Sequence, residues 1–124
     1  MAPIRPSLKD IGSLGENLVE EYLVKNKWKI LNRNFRIGHL EIDIIARDQK
    51  EIVFVEVKTR TSHLLDNPNQ ALSSGQIQKI KRAMLLYSGI NKICLENIRF
   101  DFVAVFLNNN TRKANWKHYI DILK

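Results

Sequence analysis

The sequence predicts a single α/β domain in which a mixed β-sheet is flanked by helices. Three features carry that expectation. Helical periodicity occurs twice, once near the N-terminus and once past the middle of the chain. Two Ile- and Val-rich runs, Leu40 to Arg47 and Glu51 to Arg60, lie close enough together for an antiparallel hairpin. Strand, helix and strand then follow one another from Glu51 to Leu107, a crossover with parallel strands and an expected right hand. The 124 residues suit one domain of two or three layers over 1–124, with 1–8 as an N-terminal arm.

Each element has its own signal. Ser7-Leu8-Lys9-Asp10 and Ser13-Leu14-Gly15-Glu16 both fit a capping box ahead of an amphipathic helix. Ile11, Leu14, Leu18, Tyr22 and Leu23 recur at helical spacing, and the helix is expected to end near Asn26. Trp28 to Arg36 reads as a strand, with Trp28, Ile30 and Asn32 on one face and Leu31 and Phe35 on the other. Asp48-Gln49-Lys50 is the turn of the hairpin. Thr61 to Ser74 is a polar loop holding Asn67-Pro68, placed and long enough for a substrate-contacting flap, though an ordinary surface loop fits equally. Ser73-Ser74-Gly75-Gln76 is a further capping box. Behind it Ile77, Ile80, Ala83, Met84 and Tyr87 form a buried stripe, and Gly89 is the expected stop. Asn97 to Leu107 is an apolar strand, Asn108-Asn109-Asn110 a turn, and Trp116 to Ile122 an edge strand.

Charge is placed unevenly. Twenty basic residues against thirteen acidic give a formal net charge of +7. Residues 1–74 hold 11 basic and 10 acidic groups, whereas 75–124 hold 9 and 3. A basic half suits a polyanion, most often nucleic acid, although lysines that only keep a chain soluble look the same. The longest apolar run, Phe102 to Leu107, is too short to cross a bilayer, and the first residues lack the apolar stretch of a signal peptide. A cytoplasmic protein with no membrane partner is expected. Cys94 is the lone cysteine, which excludes an internal disulfide, and its neighbours Ile93 and Leu95 suggest a core position. His39, His63 and His118 show no zinc-ligand spacing. Trp28 and Trp116 are expected to cap the core, and Asp101 to support the sheet or pair with a basic side chain, Arg99 standing two positions away.

The residues that suggest chemistry lie in the hairpin. Closure about Gln49 and Lys50 sets Asp43 opposite Glu56, Ile45 opposite Phe54, and Glu41 opposite Lys58. Glu41, Asp43 and Ile45 then share a face, as do Ile52, Phe54, Glu56 and Lys58. Glu56 stands in the apolar run Val53-Phe54-Val55-Glu56-Val57, where an unpaired carboxylate is costly to desolvate. A hard divalent ion such as Mg²⁺ would relieve both the burial and the repulsion, since it takes oxygen ligands and one or two carboxylates. Lys58 adds a cation where a phosphate oxygen or a water could sit. Those parts suit metal-assisted phosphodiester hydrolysis. An ordinary charge ladder, with Glu41 on Lys58 and Glu56 on Arg47 or Arg60, fits the spacing as well.

Asp43 followed by Glu56-Val57-Lys58 resembles the signature of the PD-(D/E)XK nuclease superfamily, the restriction-endonuclease-like fold. The chain is more closely similar to the YraN-like family of small bacterial proteins, related in fold to Holliday junction resolvases. The matching stretches are Gly12-x-x-Gly15-Glu16, Tyr22-Leu23, Trp28-Lys29-Ile30-Leu31, Asn34-Phe35-Arg36, Glu41-Ile42-Asp43-Ile44-Ile45-Ala46, Val53 to Arg60, and Arg99-Phe100-Asp101. The resemblance implies a three-layer fold with a mixed central sheet. It implies Asp43 and Glu56 as metal ligands, the Val57 carbonyl as a third, and Lys58 as the group that positions water or phosphate. Glu16 matches the acid that the first helix adds to such sites, with the end of a capping box as its competing role. Lys79, Arg82, Arg36 and Arg60 are the expected nucleic-acid contacts. Two departures stand out: Leu40 replaces the usual glycine before Glu41, and Gln76 replaces a common lysine, with Lys79 one turn later. The expected cofactor is Mg²⁺, with Mn²⁺ as a substitute. The expected partner is branched or structured DNA, handled by a homodimer or with a protein partner. A nucleic-acid-binding module of low activity is the rival expectation.

Overall fold

The computed structural model describes residues 8–61, 67–108, 110–111 and 113–123, with the backbone alone for 8 and 9. The chain order is α1 (Leu8–Lys25), β1 (Lys29–Ile37), β2 (Leu40–Asp48), β3 (Glu51–Arg60), α2 (Pro68–Ala71), α3 (Ser74–Ile90), β4 (Ile98–Leu107) and β5 (Ala114–Tyr119). A single 3-10 turn, Leu95–Asn97, leads into β4. The five strands form one sheet in the order β1-β2-β3-β4-β5. All neighbours are antiparallel except β3 and β4, which are parallel across the α2–α3 crossover.

The sheet is apolar on both faces because a helix covers each. Val19 and Leu23 of α1 pack on Ile44, Val53, Val55, Val57, Val103 and Val105. Ile80, Ala83, Met84 and Tyr87 of α3 pack on Ile42, Ile45, Phe54, Phe100 and Phe102. The expected architecture of three layers around a mixed sheet is therefore present. None of the described helices is long and apolar enough to cross a membrane.

Several boundaries differ from the sequence reading, each for a local reason. Ser13 lies inside α1, which begins at Leu8, so Ser13-Leu14-Gly15-Glu16 is not a capping box. Ser7, the other expected cap, falls outside the described residues. Leu14 is half exposed rather than buried, because Val19 and Leu23 define the inward stripe. In α3 the helix passes through Gly89 and ends at Asn91, where Lys92 takes the left-handed conformation. Ser73 does cap α3, accepting from the Gln76 N–H at 3.1 Å. The expected loop before it contains α2, capped by the Asn67 side chain on the Gln70 N–H at 3.0 Å. His63 and the rest of 62–66 lie outside the described residues. The edge strand starts earlier and stops earlier than expected, at Ala114 and Tyr119. Cys94 is exposed, a correction to its expected core position, because it sits at the solvent-facing entry to the 3-10 turn.

The alternation of β1 is also broken. A register shift between Ile30 and Asn32 inserts an extra residue. Asn32 consequently accepts a hydrogen bond from the Tyr87 hydroxyl of α3 at 3.0 Å, opposite to the face expected for it. Asn34, at φ 50°, resets the pattern again, so Arg33 meets α1 whereas Phe35 meets Tyr87.

Asp101 supports the sheet, as expected, and more thoroughly than its pairing with Arg99 alone. It is fully buried and receives Arg99 Nε at 3.1 Å, His118 Nε2 at 2.8 Å and the Asp121 N–H at 2.9 Å. His118 Nδ1 in turn meets the Tyr22 hydroxyl at 2.8 Å, so both ring nitrogens of this histidine are engaged in the network. Trp28 lies half-buried under Arg99, with the guanidinium 5.2 Å from its ring, while Trp116 is more exposed than a core cap and rests on Tyr22.

Candidate active site: a carboxylate cluster where the sheet opens

The β2–β3 ladder follows the expected register from Asp48 and Glu51 to Ile44 and Val55, and there it ends. One step further the backbone partner is replaced by a side chain. Asp43 Oδ2 accepts the Val57 N–H at 2.8 Å. The two strands diverge beyond this bond, so the expected ladder pairs of Asp43 with Glu56 and Glu41 with Lys58 do not form. Divergence also disturbs alternation: Ile42 packs in the cluster under α3 while Ile44 packs under α1.

Asp43 and Glu56 are brought together nonetheless, their carboxyls facing the same cavity and close enough for each to shift the other's titration. Glu56 is 9% exposed, and Lys58 Nζ lies 3.9 Å from its Oε1. Burial, followed by the charge of Asp43, pushes Glu56 up to about 9, with Lys58 pulling the other way. Burial also raises Asp43, against the lowering effect of the Val57 N–H. An acid pair so placed carries more negative charge than its surroundings compensate.

Glu16 approaches from α1. Its Oε1 is buried without a hydrogen-bond partner, and Arg33 Nη2 stands 3.8 Å away. Its pKa is raised by burial first and by Asp43 second. Since α1 starts well before Ser13, the capping role that competed for Glu16 is gone. Gly15 explains how α1 comes so close: a Cβ there would overlap Thr59 Oγ1 of β3. Gly12, by contrast, has open space around its Cβ position.

Beside the two carboxylates lies a cavity of about 230 Å³, walled by His39, Leu40, Glu41, Gln76, Lys79 and Ile80. Leu40 and Gln76, the two departures noted in the sequence, both reach it, and Lys79 enters one turn after Gln76. Arg82 lies further along α3 outside this cavity, in a neighbouring one. Arg36 is exposed and pairs with Glu41 at 3.5 Å, and Arg60 is exposed at the end of β3. The ordinary charge ladder is not what forms, since Lys58 meets Glu56 and Glu41 meets Arg36.

Among the described residues no three His, Cys, Asp or Glu side chains form a ready-made metal cage. What the cluster offers is two adjacent carboxylates and nearby backbone carbonyl oxygen, all hard donors. That set fits Mg²⁺, which keeps several of its waters and binds through one or two carboxylates. Arg33 and Thr59 are the residues that sequence reasoning missed. Arg33 also meets Asn17 at 3.3 Å and Glu20 at 3.5 Å, and only the bulge in β1 turns it toward α1.

Fold and cluster together define a class: a three-layer α/β domain with a mixed five-stranded sheet and an acidic cluster where that sheet opens. The model of the uncharacterised protein family UPF0102 matches residues 15–105, and the chain belongs to that family. This is the family to which the YraN-like resemblance pointed. A UPF0102 protein of Geobacter metallireducens is 44% identical over 97 residues, 78% of this chain and 80% of that one. One from Clostridium botulinum is 43% identical over 103 residues, covering 81% and 82%. One from Syntrophomonas wolfei is 36% identical over 107 residues, covering 86% and 93%. Among solved structures, Pyrococcus furiosus SfsA in complex with Ca²⁺ aligns with 87% of this chain at 14% identity and a TM-score of 0.41. The chain spans 62% of the length of SfsA.

Proposed function

We propose that the protein is a Mg²⁺-dependent endonuclease that hydrolyses phosphodiesters in structured or branched DNA by a PD-(D/E)XK-type mechanism. The observation that carries this reading is the Asp43–Glu56 pair, a part-buried and a buried carboxyl set together at the end of a ladder with Lys58 beside them. A sheet stabilised only for its own sake has no use for such a pair, because replacing one acid by a neutral side chain would relieve it.

In this reading Asp43 and Glu56 hold the ion together with the Val57 carbonyl. Mg²⁺, when bound, supplies polarisation of the scissile phosphate and acidification of water. Lys58 donates to the non-bridging oxygen on which charge grows in the transition state, where a preoriented cation is worth most. Glu16 orients the attacking water and accepts its proton through the oxygen that makes no hydrogen bond in the fold. Lys79 and Arg82 of α3 and Arg60 of β3 grip flanking phosphates, with Arg36 shared between DNA and Glu41. A pair of copies would cut both strands of a junction.

The test is cleavage of end-labelled four-way junction, flap, single-stranded and duplex DNA in Mg²⁺ or Mn²⁺. Asp43→Ala, Glu56→Ala and EDTA should each abolish cutting, with the circular dichroism of both variants unchanged. Cutting that survives either substitution would overturn the assignment. Binding without cutting under any metal would favour a recruited or binding-only role.

A further inference from the structure

The cavity beside the carboxylates continues into another. His39, Leu40 and Lys79 are shared between it and a second depression of about 470 Å³ that runs along the outer side of α3. Ile37, Leu40 and Leu86 give this second depression apolar walls, while Lys79 and Arg82 stand at its edge. Lys79, Arg82 and Leu86 are spaced three and four apart, so one stripe of α3 presents all three. Leu86 is 38% exposed in a helix whose inward stripe is packed on the sheet. Lys79 and Arg82 are exposed and enter no ion pair among the described residues.

An apolar hollow edged by unneutralised cations matches a ligand that is flat and apolar in one part and anionic in another. A nucleotide is divided in that way, into base and phosphate. The wall the two cavities share gives the ligand its direction, with a phosphate beside the carboxylates and the adjoining base along α3. A base stacked and paired inside a duplex cannot enter such a hollow without being turned out, at a cost of a few kcal/mol. An unpaired nucleotide enters without that cost.

We propose that the second depression is a base subsite, which takes an unpaired nucleobase next to the phosphate at the acidic cluster. Leu86, Ile37 and Leu40 contact the base, and Lys79 and Arg82 contact the phosphates on either side of it. The inference rests on the nuclease reading and narrows its substrate class to DNA with an unpaired nucleotide at the cutting position. Intact duplex is then a poor substrate.

The test is equilibrium binding in EDTA to full-length Glu56→Gln protein, in which the acidic repulsion is reduced and no cutting competes. The probes are a short fluorescent single strand, its duplex, and an abasic deoxyribose-phosphate oligomer of equal length. Leu86→Asn should weaken single-strand binding about fivefold or more, the effect of losing about 1 kcal/mol of base contact, and leave the abasic oligomer unaffected. Lys79→Ala and Arg82→Ala should weaken both and each lower the salt slope by about one. Circular dichroism controls for folding, and Leu86→Ala provides a second, milder variant. Equal weakening of both oligomers by Leu86→Asn, or none of either, overturns the subsite. Wild-type cleavage in Mg²⁺ separates the two ideas. Cutting without base dependence refutes the subsite alone, base-dependent binding without cutting refutes the nuclease alone, and absence of all binding refutes both.

Discussion

Replacing Glu56 by glutamine should make the metal-free protein more stable while abolishing its function. In the fold Glu56 titrates at about 9 instead of 4.5, driven up by burial and by Asp43. For an acid shifted upward, the favourable contribution to folding is complete below the unfolded value. It is lost as pH rises toward the folded value. Between 4.5 and about pH 7.5 that loss runs over three pH units at about 1.4 kcal/mol each, so up to about 4 kcal/mol of stability is missing. The substituted glutamine carries no charge, keeps the volume, and has an amide that can donate to Asp43.

The assay is urea unfolding of both proteins in EDTA from about pH 5 to 8.5. The variant should gain over wild type as pH rises, by a few kcal/mol at the alkaline end, and the two should converge near pH 5. Mg²⁺ should then raise the midpoint of wild type and leave that of the variant nearly unmoved, because binding to the folded state alone adds stability. A Glu56→Gln protein no more stable than wild type at pH 8, or a difference that does not change with pH, would refute the reasoning.

Three further outcomes follow from other parts of the molecule. Gly15→Ala should cost about 1–3 kcal/mol by forcing α1 away from Thr59; Thr59→Ala should restore part of that in a double-mutant cycle, and additivity would contradict the contact. Asp101 would be raised by burial alone, yet hydrogen bonds from His118, Arg99 and Asp121 hold it below 3.8. Its contribution is therefore present above the unfolded value and disappears as pH falls below it; Asp101→Asn should flatten the acid limb of the stability curve, and an unchanged limb would exclude the network. Glu16→Gln should lower cleavage at least about tenfold without lowering the melting temperature, and normal cleavage by this variant would return Glu16 to a purely structural role.

Most of the architecture is legible in the sequence because it depends on local pattern. The run from Val53 to Val57, Glu56 apart, is apolar on both faces, and a strand covered by helices on both sides requires that. The hairpin register as far as Ile44 and Val55 was accessible from closure about Gln49 and Lys50, and Gln49 makes that turn in the left-handed conformation at φ 57°. What escaped depends on long-range events. The bulge at Leu31 and the reset at Asn34 turn Arg33 and Asn32 to faces that period-two reading reverses. The end of the ladder at Ile44 is likewise invisible in the sequence, because the Asp43 side chain, not a backbone group, takes the Val57 N–H. Yet that substitution is what opens the sheet. The identities of Asp43, Glu56 and Lys58 could be read from spacing, whereas the gap that makes room for a ligand among them could not.

Two sets of buried acids in this fold separate structure from chemistry. Asp101 is fully enclosed and its pKa falls, because three donors converge on it. Asp43, Glu56 and Glu16 all rise instead, with burial the largest cause in each. Burial raises each of the four, and only at Asp101 do the partners outweigh it. The partners differ accordingly: Asp101 meets an arginine, a histidine and an amide, whereas Asp43 and Glu56 face each other and Glu16 Oε1 has no hydrogen bond, with Arg33 3.8 Å away. A fold that satisfies one buried carboxylate so fully has the means to satisfy others, and Arg33 and Lys58 stand within 4 Å of the cluster without neutralising it. The deficit is thus local to the place where the sheet opens to solvent, which is where an added cation could enter.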